Sequence, residues 1–425
     1  MKIQQLFETV DGKNLHLEHL DDEIWNRGYQ GAVEAIAYIE GAAGLLAGTT
    51  NEAYFATKKW DGSPALFCGN DPETGEFVMG DKGIFAKTKD ARITKTADIN
   101  RIKPDKRVGG EVKNYAPLRA KLKMAFNYLR HLDYGGKILQ GDLLWTQGDG
   151  DSGFKMIDGI NYWTFTPNLL TYAVPADTAL AQRMSKAKVG IVFHTTYEGG
   201  PTLQDMTARF GADVSGLAHP QVYVRDAAIK DVSGSVTLTR KEMMYLETEI
   251  ADLHSLLLGI GPKTFKWLEG TVPGHDLTVL IKADINQMIR SGRFDVPEAY
   301  AMQFIHRIEQ RLDDDIAKLK TQKGQEKKTQ AKNQALQFLR QNEENIEFLY
   351  MFFLKIQAVK NVLQRHYAKI RQIDTFIARP DGSFDVKPEE GVVIVDHLGK
   401  GGKEAVKIVD RLDFSRENFN KALNR

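Results

Sequence analysis

The feature that most constrains the fold is a change of texture that later reverses. From about Tyr54 to Phe85, short apolar runs (AYFATKKW, SPALFCG, GEFVMG, GIFAK) are separated by Gly, Asp, Asn and Pro, the punctuation of an antiparallel sheet with turns. Between roughly Thr239 and Ile373 the spacing becomes helical, with Leu246, Ile250, Leu253 and Leu257 on one face and Ile346, Leu349, Phe353, Ile356 and Val359 on another. Strand texture then returns: IDTFIARPDGSFDV reads as a hairpin around Pro380, Asp381 and Gly382, followed by EEGVVIVDHLGKGGKEAVKIVDRLDF. The expected architecture is α+β, antiparallel sheets with flanking helices, interrupted by an all-helical insertion. Its expected parts are a helical lead-in at 1–50, where Ile24, Trp25, Ala32, Ala35, Ile36 and Ile39 share a spacing, a core at 51–238, the insertion at 239–373 and the rest of the core at 374–425.

At 425 residues the chain can bury a large core without staples. Its single cysteine, Cys68, rules out an intrachain disulfide framework and a thiolate zinc cluster, and its apolar surroundings (PALFCG) suit a small buried residue. No apolar run is long enough to cross a bilayer, and MKIQQLFETVDGKN reaches acidic residues before any stretch resembling a secretory signal. The expectation is a cytoplasmic protein with no membrane role, in the host cytoplasm if the source is viral. A net charge of +1 leaves any basic surface to local clustering. The cluster available is KLKTQKGQEKKTQAKNQ, either a solvated helix connection or an arm touching phosphates.

Four segments carry candidate chemistry, each weak alone. In KKWDGS, Lys59 follows an apolar strand and is itself followed by Asp61 and Gly62, which suit a tight turn at a strand end. An amine attacks a phosphate only when unprotonated, a state favoured by burial and by neighbouring cations such as Lys58, Lys82 and Lys407. An ordinary Asp-Gly hairpin turn with an exposed lysine fits the segment equally well. In LQGDLLW, Asp142 interrupts an apolar strand and needs a ribose hydroxyl, a metal-bound water or a cation, unless it is only a strand-end acid. In EEGVVIV, Glu390 opens a valine-rich strand, and in AVKIVDR, Lys407 sits between Val406 and Ile408, a place that favours a polar cleft.

In this order the segments resemble the nucleotidyltransferase motifs of ATP-dependent polynucleotide ligases and mRNA capping enzymes, most closely the phage-type RNA ligases. KWDG resembles motif I, whose lysine carries the nucleotide; GDKGIFAK, with Lys82, resembles the Lys-Gly segment after it; QGDLLW, NLLTYAVP, EGVVI and KIV resemble motifs III, IIIa, IV and V. The resemblance spans about Ala53 to Gly199 and Asp374 to Phe414. It implies Lys59, Lys82 and Lys407 as catalytic lysines and Thr57, Lys58, Asp61, Gly62, Asp142, Tyr172 and Glu390 as nucleotide-binding residues. Tyr172 would stack on the base, with Phe193 as its substitute, and Asp142 and Glu390 would hold Mg²⁺ or Mn²⁺. Motif III usually carries Glu where this chain has Asp142, and Val409 occupies the place of a second motif V lysine, for which Lys403 is a substitute.

DNA ligases and capping enzymes continue past motif V into an OB-fold domain, and only a short segment follows that strand here. Ser63, giving KxDGS, matches the RNA ligase form. The resemblance therefore implies an ATP-dependent RNA ligase with RNA as partner, the insertion contacting RNA through Lys320, Lys323, Lys327 and Lys328. Alternatives are a GTP-using capping-like enzyme, a DNA ligase, or a nucleic-acid-binding protein that keeps the fold without the chemistry. His16 and His19 have helical spacing but no evident third metal ligand, GDGDSG at 148–153 reads as a loop, and GKGGK at 399–403 lacks the Ser or Thr of a P-loop.

Overall fold

A computed structural model describes residues 17–49, 54–108, 111–229, 238–272, 275–370, 373–378, 383–386, 390–396 and 405–412. The hairpin tip at 380–382, His16, Lys403 and the GKGGK run lie outside the described residues. The strands are β1 (Tyr54–Lys59), β2 (Ala65–Asn70), β3 (Phe77–Gly80), β4 (Lys106–Val108), β5 (Glu111–Lys113), β6 (Ile138–Thr146), β7 (Ser152–Ile157), β8 (Ile160–Phe165), β9 (Thr171–Pro175), β10 (Val189–Glu198), β11 (Thr207–Phe210), β12 (Val222–Asp226), β13 (Thr271–Val272), β14 (His275–Asp276), β15 (Asp374–Ala378), β16 (Phe384–Val386), β17 (Gly391–Asp396) and β18 (Ala405–Val409). The helices are α1 (Glu23–Ala47), α2 (Thr96–Ile102), α3 (Ala116–Leu129), α4 (Ala179–Lys186), α5 (Arg240–Lys266), α6 (Leu277–Ser291), α7 (Pro297–Ala317), α8 (Gln322–Arg340) and α9 (Glu343–Tyr367). The chain is α+β with mostly antiparallel sheets, and it divides into two compact units.

The first unit comprises Ala56–Lys230 and Ile370–Val395 with the N-terminal residues to Leu17. Its six-stranded sheet runs β11-β10-β6-β2-β3, with β12 pairing parallel to β10. Alternation on β2 sorts the side chains: Leu66 and Cys68 face a core with Leu122, Phe126 and Leu129 of α3, while Phe67 joins Ile84, Phe85 and Tyr197 on the other side. Full burial of each large apolar side chain contributes about 1.5–3 kcal/mol. Cys68 is wholly buried beside the Tyr134 hydroxyl, and burial pushes its thiol up to about 12. Gly141 lets β6 and β10 approach, since a Cβ there would lie 2.2 Å from the Val192 carbonyl oxygen.

A second, five-stranded sheet runs β16-β15-β9-β8-β7. The returning strand β15 pairs with β9, Asp374 opposite Ala173 and Phe376 opposite Thr171, and Phe376 packs with Ile157 and Tyr162. β17, which is buried along its length, pairs with β1. The strands that follow the helices thus join partners far back in the chain, β15 about two hundred residues and β17 more than three hundred residues after the strand each pairs with.

The second unit comprises Glu18–Phe55, Asp231–Lys369 and the chain from Asp396. Helix α9 is its spine. Ile346, Leu349, Phe352, Phe353, Ile356 and Leu363 are buried, and the helix contacts α1, α5 and α7. Thr239 and Glu242 form a capping box at the start of α5. Gly28 and Gly261, at φ of 57° and 66°, break α1 and α5. Four charges meet in the interior: Lys360 donates to Asp21 at 2.7 Å, and Arg411 donates to Asp21 at 2.9 Å and to Asp22 at 2.8 Å.

The boundaries thus differ from those expected at both ends of the chain. Helix α1, expected as a separate lead-in, and strand β18, expected in the sheet core, both fall in the unit of the helices. The reason is that α1 packs on α5 and α9, while the Asp21–Lys360–Arg411 cluster fastens the segments before α1 and after β18 to α9.

Candidate functional site: a lysine among carboxylates

Lys59 ends β1. That strand is held by the segment leaving β12: the Lys58 amide donates to the Ala227 carbonyl at 2.8 Å, and the Ile229 amide to the Ala56 carbonyl at 2.9 Å. The Ala227 amide in turn donates to the Phe193 carbonyl of β10. Thr57 is buried at this junction and forms a backbone bridge with Ala228.

After Lys59 the chain turns sharply, and Asp61 fixes the turn. Its buried carboxylate accepts from Asn168 Nδ2 at 2.7 Å, the Leu169 amide at 2.6 Å and the Leu170 amide at 2.8 Å. Its own amide donates to the Tyr172 hydroxyl at 2.7 Å. Gly62 is required by contact: a Cβ there would fall 2.3 Å from Asp142 Cβ. The Ser63 amide then donates to the Leu143 carbonyl, and the Leu143 amide to Pro64, joining the turn to β6. Lys58 Nζ lies 4.8 Å from the centroid of the buried Trp60 ring.

The ammonium of Lys59 reaches Glu390, donating to Oε2 at 2.6 Å across 331 residues of sequence. Both side chains are largely shielded, at 26% and 12% exposure. Burial pushes the Glu390 carboxyl up; Lys59 opposes this, while Asp61 and Asp142 reinforce it. Burial likewise raises Asp142 to about 7, against Lys59 and with help from Asp61. Asp61, Asp142 and Glu390 therefore act electrostatically on one another around Lys59.

One member of this group has no signal in the sequence. His194 sits where the β6–β10 register slips, between Phe193 opposite Gly141 and Thr195 opposite Gln140. The bulge brings His194 Nε2 to 4.0 Å from Asp142 Oδ2, while Nδ1 pairs with Thr195 Oγ1 at 2.8 Å. Burial, with a smaller contribution from Lys59, lowers the imidazole to about 4, so it is neutral at physiological pH. A histidine within a strand pattern gives no hint of a bulge, and the register exists only once β6 and β10 pair.

Of the remaining expected members, the two aromatic residues are buried in the packing and Lys82 is exposed. Tyr172 is wholly buried, with Phe165 stacked at 5.1 Å and Trp60 at 5.0 Å between ring centroids. It does not offer a face to a base; its hydroxyl anchors Asp61. Its substitute Phe193 is also wholly buried, in the core beside α3. Lys82 is exposed on a 3₁₀ turn (Lys82–Phe85) capped by Asp81, and it makes no ion pair with the three carboxylates. Lys407 belongs to the second unit, where its amide donates to the Glu18 carbonyl at 3.0 Å. Among the described residues no group of three or more His, Cys, Asp or Glu is arranged to hold a metal.

Fold and site together define an α+β protein whose sheet unit carries a lysine paired with Glu390, with Asp142 and Asp61 acting electrostatically on the pair. The chain belongs to the family described as "Family of unknown function (DUF6267)", whose model matches residues 14–423. No curated protein and no solved structure matches it. No helix among the described residues is long and apolar enough to cross a membrane.

Proposed function

We propose that the protein is a covalent nucleotidyltransferase in which Lys59 takes AMP from ATP. The observation that carries the reading is the Lys59–Glu390 contact at 2.6 Å, with Asp61 and Asp142 close by. Two segments that resemble motifs I and IV, separated by the whole helical block, supply the two ends of that contact. In the first step the Lys59 ammonium gives one proton to Glu390 Oε2, the freed amine bonds to the α-phosphorus as the bond to pyrophosphate breaks, and the second nitrogen proton leaves with the pyrophosphate. AMP then passes to a 5′-phosphate end, and a 3′-hydroxyl displaces it to form a phosphodiester. RNA ends are the proposed substrate, following the KxDGS form of the turn.

The donor set suits a hard divalent cation. Burial chiefly pushes the Asp142 and Glu390 carboxyls up, so a cation beside them would favour their ionised forms, and Mg²⁺ is commonly held by only one or two carboxylates plus water. When bound, Mg²⁺ would neutralise charge on the reacting phosphates. Asp61 has a different task, because its three hydrogen bonds hold the turn and with it the backbone next to Lys59.

The test is incubation with ATP labelled at the α-phosphate and Mg²⁺, followed by denaturing gel analysis. The expected result is label covalently attached to the protein and absent from K59A, which GTP labelled in the same way does not reproduce. A chain that carries no label, or a K59A variant labelled as well as the wild type, sinks the proposal. Transfer from the labelled protein to 5′-phosphorylated RNA or DNA separates the two joining activities.

A further inference from the structure

The hairpin of α7 and α8 in the helical unit carries a run of positive charge that its own acids do not neutralise. Between Ile316 and Lys332 stand six lysines (Lys318, Lys320, Lys323, Lys327, Lys328, Lys332) and one acid, Glu326. Two of the six are paired: Lys332 with Asp313 at 2.7 Å and with Glu309, and Lys318 with Asp315 at 3.0 Å. Lys320, Lys323, Lys327 and Lys328 are exposed, and none of them forms an ion pair among the described residues. Lys323 and Lys327 are one helical turn apart on α8, and no acid occupies the first turn of that helix. Packing like charges together at the positive end of a helix is unfavourable without a counter-charge. Of the three nearby acids that could have supplied it, Asp313 and Asp315 pair with other lysines, and Asp314 forms no ion pair with any of the four among the described residues.

We infer that this face of the α7–α8 hairpin binds the phosphodiester backbone of a nucleic acid through Lys320, Lys323, Lys327 and Lys328. The character of the face separates this partner from an anionic membrane. A helix that lies on a membrane needs large apolar residues beside its lysines, and none of the exposed large apolar side chains falls between Lys318 and Arg340. The exposed neighbours further along α8 are amides instead, Gln330, Asn333 and Gln334, side chains of a kind that donates to phosphate and sugar oxygens, while Gln322 and Gln325 donate to Glu326 and the Leu319 carbonyl. The contact is a backbone contact and carries no base specificity.

The inference stands on this charge distribution and does not depend on nucleotide transfer to Lys59. It is tested by fluorescence anisotropy with labelled single-stranded RNA and DNA oligonucleotides across a salt series. The proteins compared are the full chain and the K320Q/K323Q/K327Q/K328Q variant, with circular dichroism confirming equal helix content. Each phosphate contact on a single strand contributes about 0.7 to the slope of log affinity against log salt, so four lost contacts should flatten it by about 2–3. RNA and DNA should show the same loss, and a difference between them would identify which is the natural ligand. An unchanged slope in the variant, no oligonucleotide binding by the wild type, or binding only to phosphatidylserine vesicles overturns the inference. Labelling of Lys59 by ATP should survive in the variant, so failure here is distinguishable from failure of the proposed chemistry.

Discussion

At the scale of single residues, Asp142 is where charge and stability are most directly linked. Its folded carboxyl titrates at about 7, against about 3.9 for an unfolded aspartate. Below pH 4 both states hold the proton, and Asp142 contributes nothing adverse. Between about pH 4 and 7 the unfolded chain is ionised while the folded carboxyl still holds its proton, so stability is lost across that window and stays lost above it. D142N should therefore be more stable than the wild type at pH 8, by on the order of 1–3 kcal/mol, and should melt at a higher temperature, with the difference gone near pH 4. Thermal unfolding followed across pH measures this; equal pH dependence in the two proteins would contradict it. D142N should at the same time lose Mg²⁺-dependent labelling of Lys59. Asp61 predicts the opposite balance: D61A leaves the Leu169 and Leu170 amides without their acceptor and should cost about 2–4 kcal/mol, read from the urea midpoint. His194 is a positioning residue for Asp142, so H194A should slow labelling about tenfold while leaving the melting temperature within a few degrees.

At the scale of elements, the glycine of LQGDLLW shows what a sequence pattern can and cannot convey. The apolar run announced a buried strand, and β6 is indeed buried along most of its length between β2 and β10. The need for Gly141 was not visible, because the atom it avoids, the Val192 carbonyl, belongs to a strand fifty residues away. G141A should force β6 from β10, lowering the melting temperature markedly and moving Asp142 relative to His194; near-normal stability would show that the two strands can separate. The same logic covers the aromatic residues. A strand reading of NLLTYAVP places Tyr172 correctly in β9 but is silent on which face is covered, and packing of Phe165 and Trp60 against its ring decided that.

At the scale of the whole molecule, the order of textures was legible and the allegiance of the segments was not. Helical spacing in 1–50 says that a helix forms, but its neighbours were chosen by ion pairs between residues hundreds of positions apart. Burial pushes the Asp21 carboxyl up, yet Lys360 and Arg411 outweigh it and hold it well below the ordinary range. Its stabilising contribution is present above about pH 4 and disappears as the pH falls below that. R411M leaves Asp22 buried without its guanidinium partner and should cost about 3–5 kcal/mol, while D21N leaves Lys360 buried without its carboxylate and should cost a similar amount. Chemical denaturation of the two variants checks both. If either behaves like the wild type, the cluster does not fasten the ends of the helical unit.

The 331-residue interval between Lys59 and Glu390 also sets a schedule for the protein's birth. At translation rates of about 5–20 residues per second, tens of seconds separate the emergence of the lysine from that of its carboxylate. Through that interval the nascent chain carries Lys59 without the group proposed to take its proton, and β1 without β17 beside it. A ribosome-bound chain stalled before Glu390 should therefore be inert toward ATP, and competence should arrive only once the segment carrying Glu390 has emerged.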